Sequence, residues 1–243
     1  MGVGYSASPL HRVRYLDRAA LQQRQIVRGE SPLLDTLAAL GAKTVAEGPL
    51  RFRSPTVESI LAWRQALASK HNDQLGEELT WDERSTFESS DDVATSGDAM
   101  FHYVAAVLDQ RGQAALRDLV HRDRPPSDEM GAVFTEADRR GLSGRFPQLL
   151  LGAKTWLPFE RNLVIDERDW NGNPNSYGSA FRFVDEVAAV RAGIADADPS
   201  VVGSTESDDP PEQILASAWQ TSMTILRLAT LATGKRLPLW TTG

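Results

Sequence analysis

Two short motifs in this sequence combine an imidazole with a carboxylate. His71-Asn-Asp73 and His121-Arg-Asp123 each place a histidine two residues before an aspartate, at the end of a predicted helix. Imidazole nitrogens and carboxylate oxygens are ligands for zinc, manganese and iron. Two converging pairs would form a divalent metal site with four candidate ligands, His71, Asp73, His121 and Asp123. The alternative is that each histidine interacts with the dipole at a helix C-terminus and each aspartate begins a turn.

A second candidate for metal binding is the segment 167–172, which resembles the first half of a calcium-binding loop. Oxygen-bearing side chains occur at alternating positions, Glu167, Asp169 and Asn171, and Gly172 stands sixth. Two positions disagree with that motif, because the first is Glu instead of Asp and the twelfth is Gly178 instead of a bidentate Glu. A turn stabilised by Asx side chains is the better interpretation of this segment.

The turn-rich segment 166–178 is where we expect a binding site under any functional hypothesis, because loops carry function more often than the elements they connect. Asn-Gly and Asn-Pro pairs mark its turns, and two tryptophans flank them. Aromatic side chains are enriched at binding hot spots, although burial in a core is their commoner fate. The candidate binding residues in and beside this loop are Trp156, Phe159, Asp169, Trp170, Asn171, Asn173 and Tyr177.

A third histidine, His102, lies inside a predicted helix and could act as a ligand or a base, although a half-buried structural role is more common for such a residue. The sequence contains no Gly-x-x-x-x-Gly-Lys phosphate loop and no complete Gly-x-Ser-x-Gly nucleophile motif. Paired carboxylates such as Asp82-Glu83 lie in polar runs and are expected at the surface. No motif therefore supports a covalent hydrolase or a nucleotide-binding enzyme.

Composition and charge restrict the class of protein. The chain has 243 residues, with 33 acidic against 26 basic side chains and a net charge of −7, which argues against a general nucleic-acid-binding protein. It contains no cysteine, which excludes disulfides, thiol catalysis and metal sites built on thiolates. Arginine outnumbers lysine 22 to 4, which favours a GC-rich bacterial genome. The N-terminal residues have no apolar stretch of signal-peptide length, so we predict a cytoplasmic protein.

Helical patterns dominate the chain. A Ser-Pro pair at Ser54 predicts a helix to about Lys70, because proline is favoured at the first helical position. The most apolar segment, 212–233, is interrupted by Gln and Arg and predicts a buried helix instead of a membrane span. Other helices are predicted from Asp17, Ser31, Ser96 and Ser179. A capping-box pattern at Thr80–Glu83 is followed by only a thin apolar run.

The patterns that indicate strands are weaker. Strands are predicted over 50–53, 154–157, 163–165 and 237–240, and the alternation at 181–183 competes with the helix from Ser179. Segment 195–212 is acidic and bounded by prolines, which predicts a mobile loop. We therefore predict an α+β fold, predominantly α-helical with a small sheet. It would form a single compact domain over 1–243 with a long apolar C-terminal helix, and a domain boundary near residue 125 is the alternative.

These observations favour a non-catalytic protein-binding domain. An immunity or antitoxin-like inhibitor, or an adaptor, agrees with the acidic balance and with the absence of catalytic motifs. We expect it to bind a protein partner and not a nucleic acid, a membrane or a cofactor. The first alternative is a metal-dependent hydrolase that acts on a small molecule through a divalent metal at the two His-x-Asp pairs. The second alternative is a structural subunit of a larger assembly.

Overall fold

Groups of helices are interspersed with strands along the chain in the computed structural model, which describes residues 2–13, 15–16, 52–53, 55–203 and 213–242. The strands are β1 (Gly2–Ala7), β2 (Tyr15–Leu16), β3 (Phe52–Arg53), β4 (Ser89–Ala94), β5 (Thr155–Leu157), β6 (Ile165–Arg168), β7 (Pro174–Ser179) and β8 (Leu239–Thr242). The helices are α1 (Val57–Leu75), α2 (Thr95–Arg111), α3 (Gln113–Arg117), α4 (Ser127–Arg140), α5 (Pro147–Leu150), α6 (Ala180–Ala197) and α7 (Ile214–Gly234). The predicted mixture of helices and strands is confirmed.

Six of the strands form one mixed sheet in the order β4-β1-β8-β5-β7-β6. Neighbouring strands in this sheet are antiparallel except β5 and β7, which are parallel. The last strand therefore lies between the first strand and β5, with Trp240 opposite Ser6 on one side and Thr155 on the other. The short strands β2 and β3 form a separate antiparallel pair.

The six-stranded sheet separates two apolar clusters. The larger cluster contains buried side chains of α2, α6 and α7 together with one face of the sheet, and the smaller cluster contains those of α1 together with the other face. Because successive residues of a strand point to opposite faces, Trp156 packs in the larger cluster and its neighbour Leu157 in the smaller one. Both faces of the sheet are thus covered by helices.

Local capping explains where two of the predicted helices begin. The Ser179 hydroxyl group accepts a hydrogen bond from the backbone N–H of Arg182, which confirms the helix start at Ser179. The competing strand at 181–183 is wrong, because these residues belong to α6. Helix α1 begins after Thr56, whose side chain accepts from Ser59, and ends at Gly76 in the left-handed conformation with φ of 64°.

Three strands of the sheet, β1, β4 and β7, were not expected from the sequence. Strand β4 has the polar sequence SSDDVA because it lies at the sheet edge, where charged side chains are common. The capping-box pattern at Thr80–Glu83 begins no helix, since none follows in the described chain before Thr95. Glu83, expected at the surface, is 2% exposed and accepts hydrogen bonds from the backbone N–H groups of Leu10 and His11.

The C-terminal helix α7 has 21 residues and packs against α2 and α6. Within the described ranges, none of the helices combines the length and apolar character needed to cross a lipid bilayer. The first part of the segment predicted as an acidic loop forms the end of α6 and a 3₁₀ turn at Pro199–Gly203. The rest of that segment and the helices predicted from Asp17 and Ser31 lie outside the described residues.

Candidate functional site

A cavity of about 460 Å³ lies beside the first two turns of α2 and is called here the His102 cavity. Its polar lining residues come from β1, α2, β8 and the segment before β5, and they are Tyr5, Asp98, His102, Lys154 and Thr241. Its apolar lining residues are Val3, Ala99, Phe134, Leu149, Leu150, Ala153 and Trp156, with Gly152 between them. An apolar cavity of this size with a few polar groups is typical of small-molecule sites.

Tyr5 connects the sheet to α2 at the wall of this cavity. Its hydroxyl group donates a hydrogen bond of 2.6 Å to Oδ1 of Asp98, and its ring stacks on Trp156 with 6.4 Å between centroids. Tyr5 is 2% exposed, and burial together with the Asp98 carboxylate raises its pKa well above the ordinary value. The phenol therefore stays protonated and holds one oxygen of Asp98 in place.

His102 lies one helical turn after Asp98, so both side chains share a face of α2. Nδ1 of His102 is 2.9 Å from the carbonyl oxygen of Asp98 and 3.7 Å from its Oδ2. In a neutral imidazole, the proton on Nδ1 donates to that carbonyl and leaves Nε2 as an acceptor. Nε2 has no hydrogen-bond partner among the described residues, and both side chains are about one-fifth exposed.

Gln148 fixes the position of the Trp156 indole in the cavity wall. The indole Nε1 donates a hydrogen bond of 3.0 Å to the carbonyl oxygen of Gln148, and the Gln148 side chain accepts one of 2.7 Å from the backbone N–H of Ser179. Gly178 makes this packing possible, because a Cβ atom there would lie 2.5 Å from Oε1 of Gln148. The indole is therefore clamped between β7 and α5.

The buried carboxyl group of Glu186 holds the start of α5, whose residue Leu149 lines the cavity. The two oxygens of Glu186 accept hydrogen bonds of 3.1 and 3.0 Å from the backbone N–H groups of Gln148 and Leu149, at the start of α5. Glu186 is 7% exposed, and this burial raises its pKa to about 8 although both N–H groups act to lower it. The nearby carboxylates of Asp109 and Asp185 add to the increase.

The structure places the two candidate metal-binding pairs on separate elements. His71 lies in α1 with Nε2 at 3.6 Å from a Glu167 oxygen, and Asp73 is exposed on the same helix. His121 and Asp123 are exposed after α3, with His121 in the left-handed conformation at φ of 69°. The part of the chain that is described contains no group of three or more His, Asp or Glu side chains arranged to hold a metal ion.

The predicted binding loop forms the hairpin between β6 and β7. Oδ1 of Asp169 accepts hydrogen bonds of 2.8 Å from the backbone N–H groups of Asn171 and Asn173, which is the pattern of an Asx turn. The Asp169 carboxylate and the backbone N–H groups of Asn171 and Asn173 are therefore used within the hairpin itself.

The aromatic candidates divide between the two apolar clusters. Trp170 and Tyr177 contact Trp63 of α1, with ring centroids at 5.5 and 5.0 Å, in the smaller cluster. Phe159 is fully buried in the same cluster. Of the seven candidate binding residues, Trp156 is the one that lines the His102 cavity.

Tyr5, Asp98, Lys154 and Thr241 are the polar residues of the cavity that the sequence analysis did not identify. The four-residue spacing of Asp98 and His102 on one helix was a usable signal, because it places a carboxylate next to an imidazole. Tyr5 is 93 positions from Asp98, so only the tertiary structure brings them together.

Known protein families, curated proteins and solved structures give no match to this chain. The geometry of the site is therefore the basis for any functional assignment.

Proposed function

We propose that this protein binds a small organic molecule in the His102 cavity. The observation that carries the proposal is the acceptor Nε2 of His102, which has no partner among the described residues and lies in a cavity with predominantly apolar walls. Cavities with apolar walls and a few polar groups are the usual form of small-molecule sites, and an imidazole nitrogen without a protein partner can accept a hydrogen bond from a ligand.

The described surface supports a large apolar protein interface less well than the cavity supports a small-molecule ligand. Its exposed large apolar side chains are Leu142 and Val202, which lie in different 3₁₀ turns. Interfaces between proteins normally bury a contiguous apolar centre. A protein-binding domain, a metal-dependent hydrolase and a structural subunit stay predictions from the sequence, and the cavity supports a small-molecule ligand.

Titration with 8-anilinonaphthalene-1-sulfonate, followed by fluorescence, tests this proposal. The probe combines an apolar aromatic body with one anionic group, and it suits a cavity with apolar walls and a lysine. We expect one saturable site per chain in the wild-type protein. Ala99 lines the cavity, so Ala99→Phe should fill part of it and weaken probe binding at least tenfold.

Ala188→Phe is the matched control, because Ala188 is an exposed alanine on helix α6. It should bind the probe as the wild-type protein does. Urea denaturation of both variants shows whether each one folds. Equal probe affinity in the wild-type protein and in a folded Ala99→Phe variant would contradict the proposal, as would the absence of probe binding to the wild-type protein.

A further inference from the structure

The charged groups of the His102 cavity indicate which chemical class of ligand it takes, an inference that rests on the proposed function. Two acceptors lie on one turn of α2. Oδ1 of Asp98 already accepts a hydrogen bond from Tyr5, whereas Oδ2 of Asp98 lies 3.7 Å from Nδ1 of His102. Nε2 of His102 is the second acceptor. A carboxylate oxygen beside an imidazole acceptor suits a ligand group with several N–H donors and a positive charge, such as a primary ammonium.

Lys154 gives the same cavity a positive charge. It lines the cavity just before β5, and it forms no ion pair with any residue in the described ranges. Its backbone is held in place, because its carbonyl oxygen accepts a hydrogen bond of 2.9 Å from the N–H of Thr241. Its side chain is exposed and unpaired within the described ranges, and we assign its ammonium group to a carboxylate of the ligand.

The space near these charges is apolar. Phe134, Leu149 and Trp156 line it, and the cavity volume of about 460 Å³ exceeds that of any single amino-acid side chain. A ligand that carried only a cation would leave Lys154 without a counter-charge, and one that carried only an anion would leave the Asp98 carboxylate without one. A molecule with both charges satisfies each group at once.

We infer that the ligand is a small zwitterion with an apolar body, of which an amino acid with an apolar side chain is the simplest kind. Its ammonium group binds Asp98 and His102, its carboxylate binds Lys154, and its side chain contacts the apolar wall.

Isothermal titration calorimetry with three related probes tests this inference. L-Phenylalanine carries both charges, 2-phenylethylamine lacks the carboxylate, and 3-phenylpropionate lacks the ammonium group. We expect L-phenylalanine to bind at least tenfold more tightly than either of the other two. Asp98→Asn keeps an acceptor for Tyr5 and removes the charge, so it should weaken L-phenylalanine and 2-phenylethylamine but leave 3-phenylpropionate unchanged.

Lys154→Met should give the opposite pattern, weakening L-phenylalanine and 3-phenylpropionate but leaving 2-phenylethylamine unchanged. Lys235→Met and Asp196→Asn, at exposed positions outside the cavity lining, are the controls and should bind all three probes as the wild-type protein does. Equal affinity of the three probes, or variants that weaken all of them equally, would overturn the inference.

The two proposals fail in different ways. If none of the three probes binds while 8-anilinonaphthalene-1-sulfonate still distinguishes Ala99→Phe from Ala188→Phe, the zwitterion inference is wrong and the cavity remains a binding site. If that fluorescent probe does not distinguish the two variants, the proposed function itself is wrong.

Discussion

The hydroxyl group of Tyr5 donates a hydrogen bond of 2.6 Å to Oδ1 of Asp98, which links the first strand to the first turn of α2 across 93 positions of the chain. The bond leaves the second carboxylate oxygen on the side of His102. A single contact thus connects the sheet, the helix and the orientation of the polar groups in the cavity.

We expect Tyr5→Phe to destabilise the protein by about 1–3 kcal/mol, because a partly buried carboxylate oxygen loses its donor. Urea denaturation measures the loss in the free energy of unfolding. A double-mutant cycle with Asp98→Ala isolates the contribution of the bond, since each single substitution then removes it. Identical unfolding free energies for wild type and Tyr5→Phe would show that the contact is not formed in solution.

Ionisation of Glu186 should lower the free energy of unfolding as pH rises from about 4.5 to 8. The pKa of its carboxyl is raised from 4.5 to about 8 in the folded protein, mainly by burial, with Asp109 and Asp185 adding to the increase. The folded state therefore binds more protons than the unfolded state within this window, and the stabilisation present below pH 4.5 is lost as the carboxyl ionises. Each pKa unit corresponds to about 1.4 kcal/mol, so the change amounts to a few kcal/mol.

Urea denaturation at several pH values from 4.5 to 8.5 measures this effect, and Glu186→Gln is the informative variant. The unfolding free energy of the wild-type protein minus that of Glu186→Gln should decrease as pH rises, because the glutamine does not ionise. Asp196→Asn, which removes an exposed acidic group from the same helix, is the control. A constant difference between wild type and Glu186→Gln across this range would disprove the assignment.

Two glycine substitutions should change stability in opposite directions. In Gly178→Ala the new Cβ atom would lie 2.5 Å from Oε1 of Gln148 and 2.6 Å from a ring carbon of Trp156, so we expect a loss of about 2 kcal/mol. In Gly131→Ala the Cβ atom meets nothing within 4 Å inside helix α4, so we expect a gain of about 0.5–1 kcal/mol. Thermal unfolding of both variants measures these changes, and the same sign for both would contradict the packing described around Trp156.

Removing the buried carboxylate of Glu83 should cost about 3 kcal/mol or more. Glu83→Ala leaves several donors unpaired, which are the backbone N–H groups of Leu10 and His11, Nδ1 of His11 and the indole N–H of Trp81. Glu88→Ala is the matched control, because Glu88 is half-exposed and pairs with Arg12 at the surface. That variant should lose less than about 1 kcal/mol. Urea denaturation compares the two, and equal losses would show that burial of Glu83 does not determine its contribution.

The sequence predicted the elements whose signals are local. The helix that begins after Ser179 follows from a capping hydroxyl and a run with helical spacing, and both are visible within a few residues. Strand β4 was missed because its acidic residues suit an edge strand only once the neighbouring strand is known. Helix α4 was not predicted from the sequence, although it begins directly after Pro126.

The cavity was predictable only in part, because the sequence shows local patterns and not the contacts between distant elements. The pair Asp98 and His102 is set by helix geometry and can be recognised from spacing alone. Tyr5 and Lys154 join the same cavity lining through the order of strands in the sheet, which no local pattern determines.

The central position of β8 has a consequence for the order of events during synthesis. Because β8 pairs with both β1 and β5, a nascent chain cannot complete its sheet until residues 239–242 have left the ribosome. Until then β1 and β5 present open edges, and the cavity lacks the wall formed by Thr241. A chain truncated before residue 239 should therefore lack the cavity wall formed by Thr241, and its exposed strand edges should make it prone to aggregate.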